Sequence, residues 1–293
     1  MAVKWRVIMK NISVIGGDLR QLTLAELLCA DGYDVAVSGF GKDSLSGRYR
    51  IEHNIKKASE ADVIILPMPV VQTGGLLNAP FCDRTVALSE IAEAAKPSAL
   101  ILGGRIGEDT YSLFEKCKCI DYYEREELMI KNAVPTAEGA IEIAMAETPI
   151  TIAKSKCLVI GYGRIGKVLS RLLSGMGAEV TVSARRYSDL AWIEVNGYRA
   201  VHNKDIIKSA DSYDVIFNTA PALILDEAVL KIINPDSIVI DLASKPGGVD
   251  FQKAKDLGLK VIWALSLPGK TAPLTSGKII KETVSNILYE EGV

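Results

Sequence analysis

The chain has 293 residues, of which 48% are hydrophobic and 24% charged, a composition typical of a globular protein with one large or two medium domains. With 34 Lys and Arg against 36 Asp and Glu, the formal net charge is -2, which gives no electrostatic reason to expect binding to nucleic acid or to a membrane surface. No apolar run reaches the roughly 18 residues of a membrane span, and Met1–Lys10 is too short and too charged for a signal peptide. Five Cys and two His predict reduced thiols and disfavour a disulfide framework, a metal centre and a Ser-His-Asp triad.

The first predicted strand opens an ungapped internal repeat with an offset of 145 positions. Ile12–Gly16, a helical stretch and Gly32–Ser38 recur as Cys157–Gly161, a second helical stretch and Gly177–Ser183. Each copy is typical of a buried strand, a glycine turn, a helix and a second strand. We therefore expect the same order of strands and helices to occur twice in the chain.

The similarity continues with loops of different length, because Ala61–Pro69 resembles Tyr213–Pro221 and Ser98–Gly104 resembles Ser237–Ala243. Nearly continuous apolar runs of this kind are typical of parallel strands that helices cover on both faces. We predict an α/β fold of two doubly wound, Rossmann-like domains with a cleft between them.

The polypeptide is expected to cross between the two domains twice. Residues 131–147 have the pattern of a connecting helix, and a helix from Thr275 to near Tyr289 is expected to return to the first domain. We assign residues 1–135 with 274–293 to a substrate domain and residues 136–273 to a cofactor domain.

A nucleotide-binding fingerprint stands only in the second domain, where it closes a strand and opens an amphipathic helix. The first glycine allows the tight turn, the second lets the backbone approach a pyrophosphate, and the third lets helix and strand pack closely. The helix start would then face the phosphates. The fingerprint consists of Gly161, Tyr162, Gly163, Arg164, Ile165 and Gly166.

The strand that follows predicts NADP rather than NAD. A carboxylate is expected at its tip if the ligand is NAD, yet Glu179–Arg186 ends without one. Ser183 could donate a hydrogen bond to a 2′-phosphate, and Arg185 or Arg186 could pair with its charge. The alternative is that the two arginines are a solvated loop pair, with NAD as the cofactor.

The first domain departs from the fingerprint at one position. Asp18 stands where the offset places Gly163, and Arg20 stands where it places Ile165. A carboxylate there would repel a pyrophosphate, so we expect no nucleotide in this domain. Asp18 and Arg20 could instead hold a small polar substrate, or Asp18 could simply cap its helix.

Other candidates follow from the rule that ligands of doubly wound sheets bind beyond the carboxyl ends of the strands. In the second domain, Lys245 is placed near the nicotinamide or a substrate carboxylate, with an exposed loop lysine as the alternative. The neighbouring cofactor candidates are Asn218, Thr219, Ala220, Pro221, Leu242, Ala243 and Ser244.

The first domain and the connecting helix supply three more candidates. Arg105 follows a strand end and is a candidate carboxylate ligand. Pro135 is expected to open the connecting helix, which would place Thr136 and Glu138 in a first turn that favours anions. His202 is interpreted as a surface residue near the adenine side.

An ordered set of motifs resembles the family of dipicolinate synthase A subunits over essentially the whole chain. The broader relatives are the 2-hydroxyacid and alanine dehydrogenases, but no His–acid pair of the hydroxyacid enzymes is evident here, so their mechanism is not carried over. The motifs are Gly16–Arg20, Leu66–Pro69, Pro135–Gly139, Gly161–Gly166, Asn218–Pro221, Asp241–Gly248 and Leu267–Pro273.

The resemblance implies oxidation of dihydrodipicolinate, or of its 4-hydroxy-tetrahydro precursor, to pyridine-2,6-dicarboxylate with NADP as hydride acceptor. It implies an oligomeric enzyme with a flavodoxin-like B subunit, on a branch of the lysine pathway, in the mother-cell cytoplasm of a sporulating bacterium. Arg20, Arg105 and Lys245 would then bind the dicarboxylate, with Thr136 as a further substrate ligand. The candidate catalytic residues are Lys245, Glu138 and Asp18, of which Glu138 or Asp18 would act as general acid. Two alternatives stay open: a dehydrogenase of another small amino or hydroxy acid, and a non-catalytic NADP-binding regulator.

Overall fold

The computed structural model describes residues 10–41, 46–72 and 74–293. It separates into two compact units. Unit 1 comprises the described residues up to Lys131 together with Ala272–Val293, and unit 2 comprises Asn132–Thr271. Each unit contains one parallel sheet of six strands. No helix in the described ranges combines the length and apolarity needed to cross a membrane.

The sheet of unit 1 has the order β3-β2-β1-β4-β5-β6, so that the first strand lies in the middle. The interior strands are buried along nearly their whole length, which explains why they read as continuous apolar runs. The strands are β1 (Asn11–Ile15), β2 (Asp34–Ser38), β3 (Arg50–Ile51), β4 (Val63–Ile65), β5 (Leu100–Gly103) and β6 (Lys118–Asp121).

The sheet of unit 2 repeats this topology, with β9-β8-β7-β10-β11-β12 as its order. This succession of strands is that of dinucleotide-binding domains. The strands are β7 (Lys156–Ile160), β8 (Glu179–Ala184), β9 (Arg199–His202), β10 (Val215–Asn218), β11 (Ile238–Asp241) and β12 (Lys260–Trp263).

Helices cover both faces of each sheet, and two buried apolar clusters in each unit fill the layers between helix and sheet. Short 3₁₀ turns lie at Tyr122–Glu124, Asn203–Lys208 and Ala210–Ser212. The helices are α1 (Leu19–Ala30), α2 (Ile55–Ala58), α3 (Leu88–Ala94), α4 (Glu108–Leu113), α5 (Glu126–Glu147), α6 (Arg164–Gly175), α7 (Tyr187–Val195), α8 (Glu227–Leu230), α9 (Phe251–Asp256), α10 (Leu267–Thr271) and α11 (Pro273–Glu290).

The predicted repeat is confirmed at the level of the elements. The first strand, first helix and second strand of unit 2 begin 145 positions after those of unit 1. The α/β prediction of two doubly wound units is therefore confirmed.

The C-terminal helix α11 returns to unit 1, as predicted, and packs against α1. Gly277 makes the close crossing possible, because a Cβ atom there would lie 2.7 Å from the carbonyl oxygen of Arg20 and 2.6 Å from the Cβ of Thr23. Ile280, Val284 and other apolar residues of α11 join the buried cluster of β1 and α1.

The connecting helix differs from the expectation. It begins at Glu126 and continues through Pro135, which lies inside α5 instead of opening it. Thr136 and Glu138 are therefore interior helix positions, and the prediction of an anion site at a helix start there is wrong. The acidic residues of the actual first turn are Glu126 and Glu127, which suit the positive end of the helix dipole.

Candidate functional site

The turn after β7 has the backbone geometry of a dinucleotide site. Gly161 adopts a positive φ of 97°, and its amide donates to the carbonyl of Ser183 at 2.9 Å. A Cβ at Gly166 would lie 2.0 Å from the carbonyl oxygen of Gly161, so this close packing of helix and strand excludes any side chain. A Cβ at Gly163 would meet no atom within 4 Å. The space in front of Gly163 is therefore open to a ligand.

The starts of helices α6 and α1 differ in whether a side chain caps them. Gly163 precedes α6 with φ -83° and ψ -161°, and no side chain caps the helix. Asp18 precedes α1 with nearly the same backbone, φ -120° and ψ -160°, but its carboxylate accepts from the amide of Arg20. The positive end of α1 is thus satisfied from within the chain, whereas the helix-start amides of α6 have no side-chain cap and can face phosphates.

The remaining fingerprint side chains shape this turn. Ile165 packs into the core of unit 2, and Tyr162 lies beside it, half-buried, with the Lys167 ammonium 5.6 Å from its ring centre. Burial raises the pKa of the Tyr162 hydroxyl. Arg164 is exposed at the first position of α6, where its charge lies beside the open turn.

The two arginines that follow β8 are not equivalent. Arg186 forms a forked ion pair with Asp189, at 2.8 Å and 2.9 Å, and this hydrogen bonding raises the pKa of the guanidinium further. Arg185 is exposed and has no side-chain hydrogen bond or ion pair to any described residue. Ser183 is fully buried, and its hydroxyl has no hydrogen-bond partner within the described ranges. Of these two arginines, Arg185 is therefore the one whose guanidinium is free to bind an anion.

His202, interpreted from the sequence as a surface residue, holds the Arg185 turn. Its Nδ1 accepts from the amide of Lys204 at 3.2 Å, so its Nε2 carries the proton and donates to the carbonyl of Arg185 at 3.1 Å. The ring also lies 5.8 Å from that of Tyr187. The signal that could have revealed this role is its place at the end of β9, directly beside β8.

Asn218 and Asp241 form a buried polar pair at the ends of β10 and β11. The side-chain amide of Asn218 donates to Asp241 at 2.8 Å and to the carbonyl of Ala220 at 3.0 Å. Asp241 also accepts from the amides of Ala243 and Gly248 at 3.0 Å and 2.8 Å. Sequence reasoning passed over Asp241, although a carboxylate at the end of an apolar strand was visible. The pair holds both loops in place.

The other residues of these two loops are largely satisfied within the chain. The hydroxyl of Thr219 donates to the carbonyl of Ile160 at 2.9 Å, and the Trp263 indole donates to Ala243. Leu242 and Ala243 are buried, whereas Pro221, Ser244 and Lys245 are exposed. The ammonium of Lys245 has no hydrogen bond or ion pair to any described residue, so it is available to a ligand.

In unit 1, Asp18 and Arg20 bind each other. The guanidinium donates to both carboxylate oxygens, at 2.9 Å and 2.8 Å, and also to the carbonyl of Met68 at 2.9 Å. The Arg20 side chain is 11% exposed. The capping interpretation of Asp18 is therefore what the structure shows, and most of the charge of Arg20 is compensated internally.

The long segment between β4 and α3 covers the turn of unit 1. A Cβ on Gly16 would lie 2.6 Å from Cδ2 of Leu77 and 3.2 Å from Cβ of Ala79. The corresponding glycine of unit 2 faces only the short loop of Thr219 and Ala220. Apolar side chains therefore occupy the first turn of unit 1, which the sequence pattern did not indicate.

Arg105 lies beyond β5 in the left-handed region, with φ 57°, where non-glycine residues are uncommon. Its amide donates to Asp121 at 3.0 Å, and its guanidinium lies 4.5 Å from the ring centre of Tyr123 and donates to its hydroxyl at 2.9 Å. Asp121 also accepts from the amides of Ile106 and Tyr123 at 2.7 Å each. Arg105 is thus an exposed cation on a backbone that Asp121 fixes.

Thr136 and Glu138 have the environments of helix-interior residues. The hydroxyl of Thr136 donates to the carbonyl of Asn132 at 2.8 Å, one turn earlier in α5. Glu138 is exposed and borders an open apolar depression with Ile141 and Met145. The carboxylate of Glu138 has no hydrogen bond or ion pair to the described residues.

The His and Cys residues of the described ranges form neither a cluster of metal ligands nor a disulfide. No group of three His, Cys, Asp or Glu is arranged there to hold a metal ion, and all five cysteines are free. Burial raises the pKa of Cys119 and of Cys157 to about 11, which keeps both thiols protonated near neutral pH.

Comparison with family models divides the chain into two parts. Residues 11–123 match the N-terminal domain of the dipicolinate synthase A subunit. Residues 130–246 match the NAD binding domain of D-isomer-specific 2-hydroxyacid dehydrogenases. The second match covers the elements that carry the fingerprint.

The chain is similar over nearly its whole length to A subunits of dipicolinate synthase. The chain is 32% identical over 285 residues to the A subunit of dipicolinate synthase from Bacillus subtilis, covering 96% of both chains. A crystal structure of the same subunit from Bacillus halodurans aligns with a TM-score of 0.89 at 31% identity, over 95% of this chain and 97% of that one. The crystal structure of the Bacillus subtilis protein aligns with a TM-score of 0.88 at 32% identity, over 96% of each.

Proposed function

The chain belongs to the family of dipicolinate synthase A subunits, and we propose that it oxidises a dihydrodipicolinate, or its 4-hydroxy-tetrahydro precursor, to dipicolinate with NADP as hydride acceptor. The family and the NAD-binding domain make it a dehydrogenase of the nicotinamide-dependent kind. The observation that carries the finer proposal is the contrast between the open, uncapped start of α6 and the Asp18-capped start of α1. In this proposal unit 2 binds the cofactor and unit 1 contributes to the substrate site.

The residues of unit 2 fit a dinucleotide. The open space before Gly163 and the helix-start amides of α6 would take the pyrophosphate. The partnerless hydroxyl of Ser183 and the free guanidinium of Arg185 would take the ribose end and its 2′-phosphate. When bound, the nicotinamide supplies the hydride acceptor. The contribution of Thr219–Pro221 and Leu242–Ser244 is to shape the loops, which the Asn218–Asp241 pair holds rigid.

For the substrate, two cations are proposed as carboxylate ligands. Arg105 and Lys245 are exposed and form no ion pair within the described ranges. Arg105 presents a planar fork that can bind a carboxylate through two hydrogen bonds, and Lys245 presents a point charge. Arg20 is the weaker candidate, because Asp18 and the carbonyl of Met68 already occupy its donors.

The two chemical forms of the substrate make different demands on the chain. Loss of hydride from a dihydropyridine creates an aromatic ring, so the residues need mainly to orient the substrate and exclude water. The 4-hydroxy form also needs a proton for its departing hydroxyl group. Of the two proposed acids, Glu138 is favoured, because Asp18 is engaged in a cap and an ion pair. Thr136 is retained as a substrate ligand only as a proposal, since its hydroxyl bonds within α5.

The name of the family describes one of two kinds of subunit, so we propose that the enzyme acts with a B subunit of flavodoxin-like type and as an oligomer. By the same reasoning, we place its activity in the mother cell of a sporulating bacterium, on a branch of the lysine pathway.

A coupled assay tests the function. The purified chain, with and without the B subunit, is mixed with NADP and the product of dihydrodipicolinate synthase. The concentrations of dipicolinate and NADPH, both followed by absorbance, are expected to rise together in a one-to-one molar ratio. Absence of both signals under both conditions would contradict the substrate. Turnover of another amino or hydroxy acid, or NADP binding without any turnover, would support one of the two alternatives instead.

A further inference from the structure

Unit 1 contains a pocket of about 230 Å³ beyond the ends of β2 and β3. None of the candidate residues Asp18, Arg20 and Arg105 lines it. Part of its wall is apolar, formed by residues such as Val37, Phe40, Ile51 and Ile55, and the rest is polar. Ser38 also lines it and is 3% exposed, yet its hydroxyl has no hydrogen-bond partner in the described ranges. A buried hydroxyl without a partner needs an explanation, and a ligand group that donates to it or accepts from it would supply one.

The pocket corresponds by the internal repeat to the place in unit 2 where the proposed cofactor would put its adenosine end. Ser38 lies 145 positions before Ser183, and each carbonyl accepts from the first glycine of its turn at 2.9 Å. Both hydroxyls are buried without partners. The internal repeat therefore places the unpaired hydroxyls of Ser38 and Ser183 at corresponding positions of β2 and β8.

The strand register extends this correspondence. Arg50 pairs with Ala36 in unit 1, as Arg199 pairs with Thr181 in unit 2. This alignment matches Arg50–Asn54 with Arg199–Asn203, so that Arg, His and Asn recur at the same three places and His53 corresponds to His202. His53 lines the pocket, whereas His202 holds the turn of Arg185.

Phosphates, however, are excluded from unit 1. Asp18 places a carboxylate at the start of α1, and Leu77 covers Gly16. A ligand that enters the pocket thus finds no room and no positive helix end for a phosphate.

The charges around the pocket favour a neutral ligand with hydroxyl groups. Arg84 lines it but is bound to Glu90 by two hydrogen bonds of 3.0 Å and 2.9 Å, and Glu52 is paired with Lys57 at 3.0 Å. Asp83 has no hydrogen bond or ion pair to the described residues, so its carboxylate can accept from a diol, as the acidic residue of a nucleotide site does from ribose.

We propose that this pocket binds an unphosphorylated nucleoside, with the base against the apolar part of the wall and the ribose hydroxyls at Asp83 and Ser38. The proposal rests on the proposed cofactor site through the equivalence of the two units. Unit 1, which has the topology of a nucleotide-binding fold without the glycine fingerprint, would then have its own ligand site.

Calorimetric titration of the full chain with adenosine, in the presence of saturating NADP, tests the proposal. Adenosine is expected to bind once per chain, and AMP and 2′,3′-dideoxyadenosine at least about tenfold more weakly, since the first adds a phosphate and the second lacks the diol. Ile51→Trp is expected to abolish binding by filling the pocket. Asp83→Asn should weaken adenosine about tenfold and leave dideoxyadenosine unchanged.

Matched controls are available in the same unit. Ile51 is 48% exposed and Ile130 is 51% exposed, so Ile130→Trp adds the same bulk outside the pocket. Asp109→Asn removes an exposed carboxylate elsewhere. Circular dichroism verifies the fold of each variant. No adenosine binding, equal binding of AMP, or binding that survives Ile51→Trp would overturn the proposal.

The proposed cofactor site is judged separately, by NADP titration without adenosine. If NADP fails to bind but Ile51→Trp still removes adenosine binding, the pocket stands and the proposed cofactor falls. If adenosine binding is lost on adding NADP, the nucleoside sits in unit 2 and the pocket proposal is overturned.

Discussion

Nε2 of His202 donates to the carbonyl oxygen of Arg185 across 3.1 Å, and this bond ties the end of β9 to the turn that follows β8. The other ring nitrogen accepts from the amide of Lys204. Both ring nitrogens are thus used, which fixes the orientation of the imidazole. The position of Arg185, the cation proposed to recognise the 2′-phosphate, therefore depends on a histidine.

Replacement of this histidine tests its positioning role. His202→Ala should weaken NADP binding about fivefold, the effect of losing one hydrogen bond of about 1 kcal/mol, and should leave NAD binding nearly unchanged. His53→Ala changes the equivalent residue of unit 1 and serves as the control in the same fluorescence titration. An equal loss for NADP and NAD would assign His202 a merely structural role.

The two arginines after β8 should differ in their effect on cofactor choice. Arg185→Gln is expected to weaken NADP about tenfold to a hundredfold, because a charge-assisted bond of roughly 1.5–3 kcal/mol is lost, with little change for NAD. Arg186→Gln should have a smaller effect, since Asp189 already holds this guanidinium. Dissociation constants for both cofactors decide the matter. A larger effect of Arg186→Gln than of Arg185→Gln would reverse the assignment.

The buried carboxylate of Asp241 should contribute strongly to stability. It accepts three hydrogen bonds and is 0% exposed, so Asp241→Ala leaves one N–H of the Asn218 side-chain amide and two backbone amides unpaired. We expect the free energy of unfolding to fall by about 3 kcal/mol in urea titrations. Asp236→Ala, at an exposed position, should change it by less than about 0.5 kcal/mol. Equal stability of the two variants would show that the network does not hold the loops.

The effect of the Arg105 backbone conformation on stability and the effect of its side chain on substrate binding can be measured separately. Arg105→Gly relieves a left-handed conformation that costs a side chain about 1–2 kcal/mol, while it removes a cation–π contact worth roughly 0.5–1 kcal/mol. The stability should therefore stay within about 1 kcal/mol of the wild type, and KM for the dicarboxylate should rise at least about tenfold. Arg105→Ala should raise KM equally and be less stable than the glycine variant. Unchanged KM in both variants would remove Arg105 from the substrate site.

Much of the fold was predictable because the repeat and the apolar runs record it directly. Strands covered on both faces leave continuous apolar stretches, and the offset between Gly16 and Gly161 fixed the correspondence of the units. The fingerprint at Gly161–Gly166 is local, since its glycines act on neighbouring backbone, and it could be interpreted without the structure.

The contacts that define the two sites depend on segments distant in sequence and could not be predicted in this way. Leu77 reaches Gly16 only because the segment between β4 and α3 folds back over the turn. Arg20 donates to the carbonyl of Met68, 48 positions away. The sequence also misplaces the start of the connecting helix, because proline is favoured in the first turn of a helix, whereas Pro135 lies within α5.

We infer that the chain uses one nucleotide fold twice and keeps its dinucleotide site in unit 2 alone. Calorimetric titration with NADP tests it most directly, on the wild type and on exchanges that swap the two helix caps. The wild type should bind one NADP per chain, Gly163→Asp none, and Asp18→Gly still only one, because Leu77 and Ala79 cover the turn of unit 1. Two NADP molecules per wild-type chain, or undiminished binding in Gly163→Asp, would contradict the account.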